Sequence, residues 1–312
     1  MLNSRFFTGY SYFWCCIKSF IPLKICGFSF IRNALIYDYP IQEAIGSILP
    51  LCDEIIIAVG KSEDDTLSMV KNISSKVKII ETNWDESIRE GGLVLSEETN
   101  KALNAISDKF DWCIYVQGDE VFHQSEYDNI RLAMQKADQN NEVDGLLFDY
   151  FHFYGSYDYI ATSGRWYQHE IRAFKTGRNV YSYKDAMGFR KSTNKKLKVI
   201  PSNANIYHYG WVKHPEVQQS KQKTFHKWWT EDRDLDKKVN VGINTFDYSG
   251  IDRLALFDGN HPKIMQERIR SKNWIFDFDI EKDNRSIKER IRAFLKSKIG
   301  WRPGEYRNYI RI

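Results

Sequence analysis

The first half of the chain alternates short apolar runs with segments whose apolar residues recur at helical spacing. The runs that predict buried strands are 25–31, 55–59, 77–80 and 112–116. The segments that predict helices between them are 40–51, 66–73 and 96–107. Continuous apolar runs are typical of strands covered on both faces. Strands and helices that alternate in this way predict a parallel sheet with right-handed crossovers.

The second half of the chain has a different pattern. Strands are predicted at 145–154, 170–174, 180–183 and 206–211, and we expect them to be antiparallel. Helices are predicted at 215–229, 262–271 and 286–299, the last with an apolar stripe opposite Lys and Arg. We therefore divide the chain into an N-terminal appendage, an α/β domain and a mainly helical C-terminal extension. The three parts are 1–22, 23–230 and 231–312.

Composition narrows the class of protein. The chain has 312 residues and 42% apolar content, which is ample for a hydrophobic core. Its net charge of +4 does not call for a nucleic-acid partner. The five cysteines are odd in number and form no C-x-x-C pair, which argues against a disulfide framework or a zinc site and fits a reducing compartment. No apolar run reaches the ~18 residues of a membrane span. The segment 6–23 does not read as a signal peptide, so we expect a cytoplasmic protein.

Polar groups follow three of the predicted strands, at Arg32-Asn33, at 60–66 and at 117–120. Ligands of open α/β sheets bind at the carboxyl ends of the strands. Two acids, Asp119 and Glu120, follow Gly118 there, and carboxylate oxygens are the ligands that Mg²⁺ and Mn²⁺ prefer. The alternative is a solvated turn in which Asp119 caps the next helix.

Gly60-Lys61-Ser62 is half of a phosphate-binding P-loop. The complete motif needs a glycine five residues before Gly60, where this chain has Ile55. A loop that starts a helix, capped by Ser62, Asp64 or Asp65, explains the segment better.

Later segments offer further candidate chemistry. His208 ends a late strand and is followed by Lys213, a combination that suits a diphosphate, although a solvated charged helix is the alternative. Glu170 and Asp185 each lie among basic and aromatic residues, and either could act as a general base. Ion pairs with nearby arginines are the alternative for both acids.

Taken in order, these segments resemble the family 2 glycosyltransferases of the GT-A fold, over residues 24–227. The matching features are a strand ending in Arg32-Asn33, the strand that starts Asp53-Glu54-Ile55, the loop 62–66, an asparagine at Asn100 and the acidic motif 117–120. The chain looks similar to bacterial members with a Q-x-D-E metal motif and a late H-Y-G-W segment. Gln117 replaces the first acid of the usual D-x-D motif.

The resemblance implies a Rossmann-like, mostly parallel central sheet flanked by helices, with a helical C-terminal extension. It implies transfer from a nucleoside-diphosphate sugar to a hydroxyl of a glycan or lipid-linked acceptor, with Mn²⁺ or Mg²⁺, in the synthesis of surface glycans or lipopolysaccharide. Asp119 and His208 would bind the metal, and Asp185, in preference to Glu170, would be the base of an inverting reaction. The residues implied to bind the donor are Arg32, Asn33, Ser62, Asp64, Asn100, Gln117 and Lys213.

Two other functions stay open at this stage. A nucleotidyltransferase would need a glycine-rich loop after the first strand, which 32–35 lacks. A non-catalytic carbohydrate-binding protein could have lost activity through Gln117. The basic helix at 286–299 either docks peripherally on the anionic inner face of a membrane or packs on the catalytic domain.

Overall fold

The computed structural model describes residues 23–229, 242–299 and 306–312. The predicted appendage at 1–22 lies outside these residues, and so do Cys15 and Cys16. The other three cysteines, Cys26, Cys52 and Cys113, are buried and unpaired. No helix in the described part of the chain is long and apolar enough to cross a membrane.

The predicted parallel half of the central sheet is confirmed. Its strands are β1 (Ile25–Ile31), β2 (Glu54–Gly60), β3 (Val77–Thr82) and β4 (Trp112–Tyr115), in the spatial order β3-β2-β1-β4. The connecting helices are α1 (Ile41–Ile48), α2 (Thr66–Lys71) and α3 (Leu93–Asn104). Helix α3 begins three residues earlier than predicted, after Gly92 in a left-handed conformation (φ 70°).

The second half of the sheet is mixed rather than antiparallel. Its elements are β5 (Glu120–Phe122), α4 (Tyr127–Asp138), β6 (Gly145–Tyr154), β7 (Tyr159–Ala161), β8 (His169–Lys175), β9 (Val180–Tyr183), β10 (Gly188–Lys191), β11 (Leu197–Trp211) and α5 (Pro215–Lys227). Strand β8 runs antiparallel between β4 and β6, but β11 pairs in parallel with β6. The expected antiparallel pairing is confirmed for β6 with β8 and for β9 with β10, and it is wrong for β6 with β11. The reason is that β9 and β10 form a separate hairpin, which returns the chain to the far side of β6.

Apolar side chains cover both faces of the sheet. In β2, Ile55, Ile57 and Val59 pack on the side of α1, while Ile56 and Ala58 pack on the opposite side, towards α3. Each fully buried Ile stabilises the fold by about 1.5–3 kcal/mol. This double burial explains the continuous apolar runs of the sequence, and it confirms the α/β class with helices flanking a largely parallel sheet.

The C-terminal stretch contains less helix than predicted. Its described elements are β12 (Leu254–Leu256), α6 (Gln266–Arg270), α7 (Ile287–Ile299) and β13 (Tyr309–Arg311). Strand β12 pairs with β7, and β13 pairs with β11, so both extend the sheets of the α/β domain. Helix α7 is present as predicted, but its apolar stripe faces solvent. Ile287, Ile291, Phe294 and Ile299 are all more than half exposed, so the stripe does not pack on the described domain.

Candidate active site

A cleft of about 960 Å³ opens at the carboxyl ends of β1 and β4. The strand-end residues Arg32, Asn33, Gln117 and Asp119 line it, as the sequence predicted. His208 enters from β11, and tryptophans after β3 and α5 form another wall. The parallel strands bring these polar groups together because their carboxyl ends meet at one edge of the sheet.

Asp119 is the central charge of the cleft. Its Oδ2 lies 3.2 Å from Lys221 Nζ, and its Oδ1 lies 3.8 Å from His208 Nε2. Burial alone would raise the pKa of Asp119, but neighbouring cationic groups, Lys221 foremost, outweigh it and lower the pKa to about 2. Asp119 is therefore ionised at neutral pH. It does not cap the next helix.

Glu120, the second acid of the motif, points away from the cleft. Arg172 Nε and Nη2 donate to its two oxygens at 2.8 and 2.7 Å, and the hydroxyl of Tyr150 donates to Oε1 at 2.8 Å. Both members of this ion pair are fully buried. Since its carboxylate oxygens are already bonded, Glu120 orients the turn and leaves Asp119 as the acid that faces the cleft.

A pair of histidines sets the orientation of His208. His152 Nε2 lies 2.6 Å from the carbonyl of Tyr167, which can only accept, so this nitrogen carries the proton. The other nitrogen, His152 Nδ1, lies 3.1 Å from His208 Nδ1 and must accept from it. Burial lowers the pKa of both histidines, so both are neutral. The lone pair of His208 is then on Nε2, which faces Asp119.

Asp119 Oδ1 and His208 Nε2 are close enough to bind one divalent cation between them. Two ligands at about 2.1 Å from one ion lie at most about 4.2 Å apart, which the 3.8 Å separation satisfies. A Cβ at Gly210 would lie 2.6 Å from Asp119 Oδ2 and 2.8 Å from His208 Nε2, so only glycine leaves this space open. Within the described residues no group of three His, Cys, Asp or Glu side chains could hold a metal. Diphosphate and water would have to supply the other ligands.

Several residues implied to bind the donor have structural roles instead. Asp64 accepts from the backbone N–H of Leu35 and Ile36, both at 2.9 Å, and from Thr66. Ser62 Oγ accepts from the N–H of Asn33 and donates to the carbonyl of Gly60. Because these bonds use their polar atoms, Asp64 and Ser62 hold the loop after β1 in place and do not line the cleft.

Asn100 and Lys213 are also placed outside the cleft. The amide of Asn100 bonds to both the N–H and the carbonyl of Ser182, which fixes β9 against α3. Lys213 is fully buried below Tyr39 and donates to the carbonyl of Asp38. Burial lowers the pKa of Lys213 to about 7. Lys221 and Lys227 do line the cleft.

Three of the residues predicted to bind the donor do line the cleft, and each is fixed by different protein contacts. Asn33 has a left-handed backbone (φ 53°), and its Oδ1 accepts from the N–H of Glu63. Arg32 donates to Glu86 at 2.8 Å and lies over the ring of Trp84. Gln117 donates to the carbonyl of Ala186 at 3.2 Å, so it ties the acidic turn to the Asp185 loop.

The two candidate bases occupy different places. Asp185 lines the main cleft, and burial raises its pKa. Glu170 lines only a second, adjacent cavity, and burial raises its pKa to about 8. The predicted ion-pair partners are both engaged elsewhere, Arg172 with Glu120 and Arg190 with Asn308. A carboxyl that is mostly protonated at neutral pH is a poor base, so Asp185 is the better placed of the two.

Sequence reasoning missed His152. His152 lies in the middle of an aromatic strand, and only the register of β6 against β11 places it beside His208. Lys221, by contrast, belongs to the basic cluster after His208 that the sequence offered for a diphosphate, and it lies on α5 three residues after Gln218, which is also buried.

No family model matches the chain, and no curated protein matches it. Among solved structures, the chain is similar to TarS from S. aureus, with 12% identity and a TM-score of 0.39 over 65% of this chain and 39% of TarS. The chain therefore spans less than half of that protein. It is also similar to residues 1–349 of TarS in complex with UDP-GlcNAc, with 12% identity and a TM-score of 0.37 over 70% of each chain. A third is glucosyl-3-phosphoglycerate synthase from Mycobacterium tuberculosis in complex with Mn²⁺, UDP and phosphoglyceric acid, with 19% identity and a TM-score of 0.29 over 42% of this chain and 43% of that one. At these TM-scores the fold assignment rests on the strand order of the chain itself.

Proposed function

We propose that the protein is a glycosyltransferase of the family 2 type, which transfers a sugar from a nucleoside-diphosphate sugar to an acceptor hydroxyl with inversion. The observation that carries the proposal is the pair Asp119 Oδ1 and His208 Nε2, 3.8 Å apart, in a cleft that Asp185 also lines. The ionised acid and the neutral imidazole would hold Mn²⁺ or Mg²⁺. A divalent cation in this position supplies charge stabilisation to a departing diphosphate.

The protein's own residues supply the other functions of this mechanism. Lys221 is held by Asp119 and by the carbonyl of Gly210, and Asp119 and Tyr39 raise its pKa despite burial, so it stays charged. It would contact the diphosphate in the role first expected for Lys213. Arg32 and Trp84 would border the nucleoside, in the part of the cleft beside β1.

Asp185 would complete the reaction as the general base. It accepts the proton of the acceptor hydroxyl while that oxygen bonds to the anomeric carbon. The bond from the anomeric carbon to the diphosphate oxygen breaks, and the nucleoside diphosphate leaves with its electron pair. The raised pKa of Asp185 favours this proton transfer near neutral pH.

The test compares Asp119→Asn and Asp185→Asn with the unmodified protein, using a panel of nucleoside-diphosphate sugars with Mn²⁺. Donor binding is followed by thermal shift, because a ligand of the folded state raises its stability. Donor hydrolysis and transfer are followed by release of nucleoside diphosphate. We expect Asp119→Asn to lose metal-dependent donor binding, and Asp185→Asn to keep donor binding but lose transfer by about 100-fold or more.

Three outcomes would contradict the proposal. Donor binding without any turnover in the unmodified protein would favour a non-catalytic carbohydrate-binding protein. Formation of a nucleoside-diphosphate sugar from a nucleoside triphosphate and a sugar phosphate would favour a nucleotidyltransferase. Turnover that Asp119→Asn leaves unchanged would remove the metal site.

A further inference from the structure

A second cavity, of about 470 Å³, adjoins the main cleft. The two share Trp166, Tyr167, Asp185 and Met187 in their walls. A molecule bound in the second cavity can therefore reach Asp185 without entering the part of the cleft near Asp119. Its volume lies within the range of about 300–1,000 Å³ that small-molecule sites occupy.

The chemistry of the walls is that of a saccharide site. Aromatic rings come from Trp166, Tyr167, Tyr183 and Tyr306, and hydrogen-bonding amides come from Gln168 and Asn308. Flat aromatic faces pack against the C–H faces of sugar rings, while amides and carboxyls bond to their hydroxyls. Met187 is the only aliphatic side chain that lines this cavity among the described residues, which argues against a hydrocarbon ligand.

Glu170 is the buried polar group of this cavity. Its side chain is only 6% exposed, and its Oε2 has no hydrogen-bond partner among the described residues. Arg172, two residues away, bonds instead to Glu120 and to the carbonyls of Ile171 and Met187. Buried polar atoms in native proteins are almost always bonded, so an unbonded one at a cavity wall is available to a water molecule or to a ligand hydroxyl.

We propose that this second cavity binds the saccharide acceptor, with Glu170 bonded to one of its hydroxyls and another hydroxyl directed at Asp185. The proposal rests on the proposed function. A protonated carboxyl both donates and accepts, as a sugar hydroxyl does, and the pKa of about 8 for Glu170 keeps most of it protonated at neutral pH.

The C-terminal segments form the outer wall of this saccharide cavity. Helix α7 contributes Glu289 and Arg292, which are paired at 3.0 Å, and the last described segment contributes Tyr306 and Asn308. These residues lie outside the part of the chain that resembles the glycosyltransferase family. The acceptor would therefore contact both Glu170 with its neighbours and the C-terminal stretch, whereas the donor would contact the ends of β1 and β4.

The experiment measures binding of methyl glycosides of common hexoses and N-acetylhexosamines by saturation-transfer NMR, with and without uridine diphosphate. Glu170→Leu keeps the volume of the side chain but removes its hydrogen bonds, and we expect glycoside binding to weaken at least tenfold. Glu170→Gln keeps the hydrogen bonds and should bind within about threefold of the unmodified protein. Uridine diphosphate binding, which involves the ends of β1 and β4, should be unchanged in both variants.

Gln168→Ala provides a second test, because this half-buried wall residue can be shortened without placing a new group in the core. It should also weaken glycoside binding while leaving uridine diphosphate binding unchanged. Equal glycoside binding by all three variants, or displacement of the glycoside by uridine diphosphate, would overturn the proposal. If the unmodified protein binds neither nucleotide nor donor, the proposed function is refuted. Glycoside binding that depends on Glu170 would in that case still support a saccharide site in the second cavity.

Discussion

At the scale of single residues, the tautomer of His208 depends on His152. We expect His152→Phe to remove the acceptor for His208 Nδ1 and to weaken Mn²⁺ binding about 10- to 100-fold, the usual effect of losing a partner that orients a metal ligand. Electron paramagnetic resonance titration of Mn²⁺ measures the affinity directly. His261→Phe is the control, because His261 Nε2 also bonds to a buried carbonyl, that of Tyr157, but His261 does not line the cleft. Similar loss of Mn²⁺ affinity in both variants would contradict the orienting role.

Two buried lysines near Tyr39 allow a matched comparison. Lys221→Met should weaken uridine diphosphate binding about tenfold or more, because a bond to a charged group is lost, whereas Lys213→Met should leave it unchanged. Isothermal titration calorimetry measures both affinities. If Lys213→Met instead binds the nucleotide more weakly, Lys213 contacts the diphosphate as the sequence predicted.

The pH dependence of stability also distinguishes Lys213. Its pKa is about 7 in the folded state, below its unfolded value, so its cost to the free energy of unfolding falls as the pH rises from about 7 to about 10. Lys213→Met should therefore be more stable than the unmodified protein at pH 7, and the difference should shrink towards pH 10.

For helices and strands, the sequence predicted the elements whose apolar pattern is local to the segment. The runs that became β1, β2 and β4 are mostly apolar because both faces are covered, and their length of seven residues or fewer favours strands over helices. The parallel pairing of β6 with β11 could not be predicted, because it joins segments about fifty residues apart around a hairpin. Strand β13 has only three residues, too few for a periodic signal.

Helix α7 carries a prediction of its own. Its exposed stripe includes Ile291 and Phe294, and Lys288 and Lys298 accompany it on the exposed surface. Each basic group near an anionic leaflet contributes about 1 kcal/mol, and the apolar stripe adds to this. We expect the protein to co-sediment with vesicles containing phosphatidylserine at low salt, and expect Ile291→Ser with Phe294→Ser to abolish this.

Leu132→Ser is the control for membrane binding, because Leu132 is equally exposed but lies on α4. It should leave co-sedimentation unchanged. Co-sedimentation that the α7 double variant retains, or that is absent with the unmodified protein, would rule out docking through α7. Because α7 presents Arg292 to the saccharide cavity, docking would also bring that cavity close to a lipid-linked acceptor.

For the whole molecule, the sequence predicted where the candidate site lies better than it predicted which polar residues are free to bind a ligand. The structure brings Asp119, His208 and Asp185 into one cleft, because strand ends and loops of an α/β sheet converge there. The family resemblance assigned Asp64 and Asn100 to the donor, because a sequence does not show which polar groups are already bonded. Their partners, the backbone of Leu35 and of Ser182, come from distant strands or loops.

The end of the described chain should be essential to the stability of the whole fold. Strand β13 pairs with β11, Tyr309 is buried, and Arg190 donates to the carbonyl of Asn308 in the interior. Deletion of residues 306–312 removes this pairing and exposes the edge of β11, so the free energy of unfolding should fall by several kcal/mol, on the order of 3–5. The midpoint of thermal unfolding should then fall by about 5–15 °C.

Thermal unfolding followed by circular dichroism checks this expectation. Ile310→Ser is the matched control, since Ile310 is on the same strand but its side chain is 46% exposed, and it should cost less than about 1 kcal/mol. A deletion variant as stable as the control would show that the pairing of β13 with β11 contributes little to the free energy of unfolding. If the deletion is instead destabilised as expected, truncation cannot be used to test docking of α7, because loss of membrane binding would then report unfolding of the sheet edge. The point substitutions on α7, which leave β13 in place, separate the two effects.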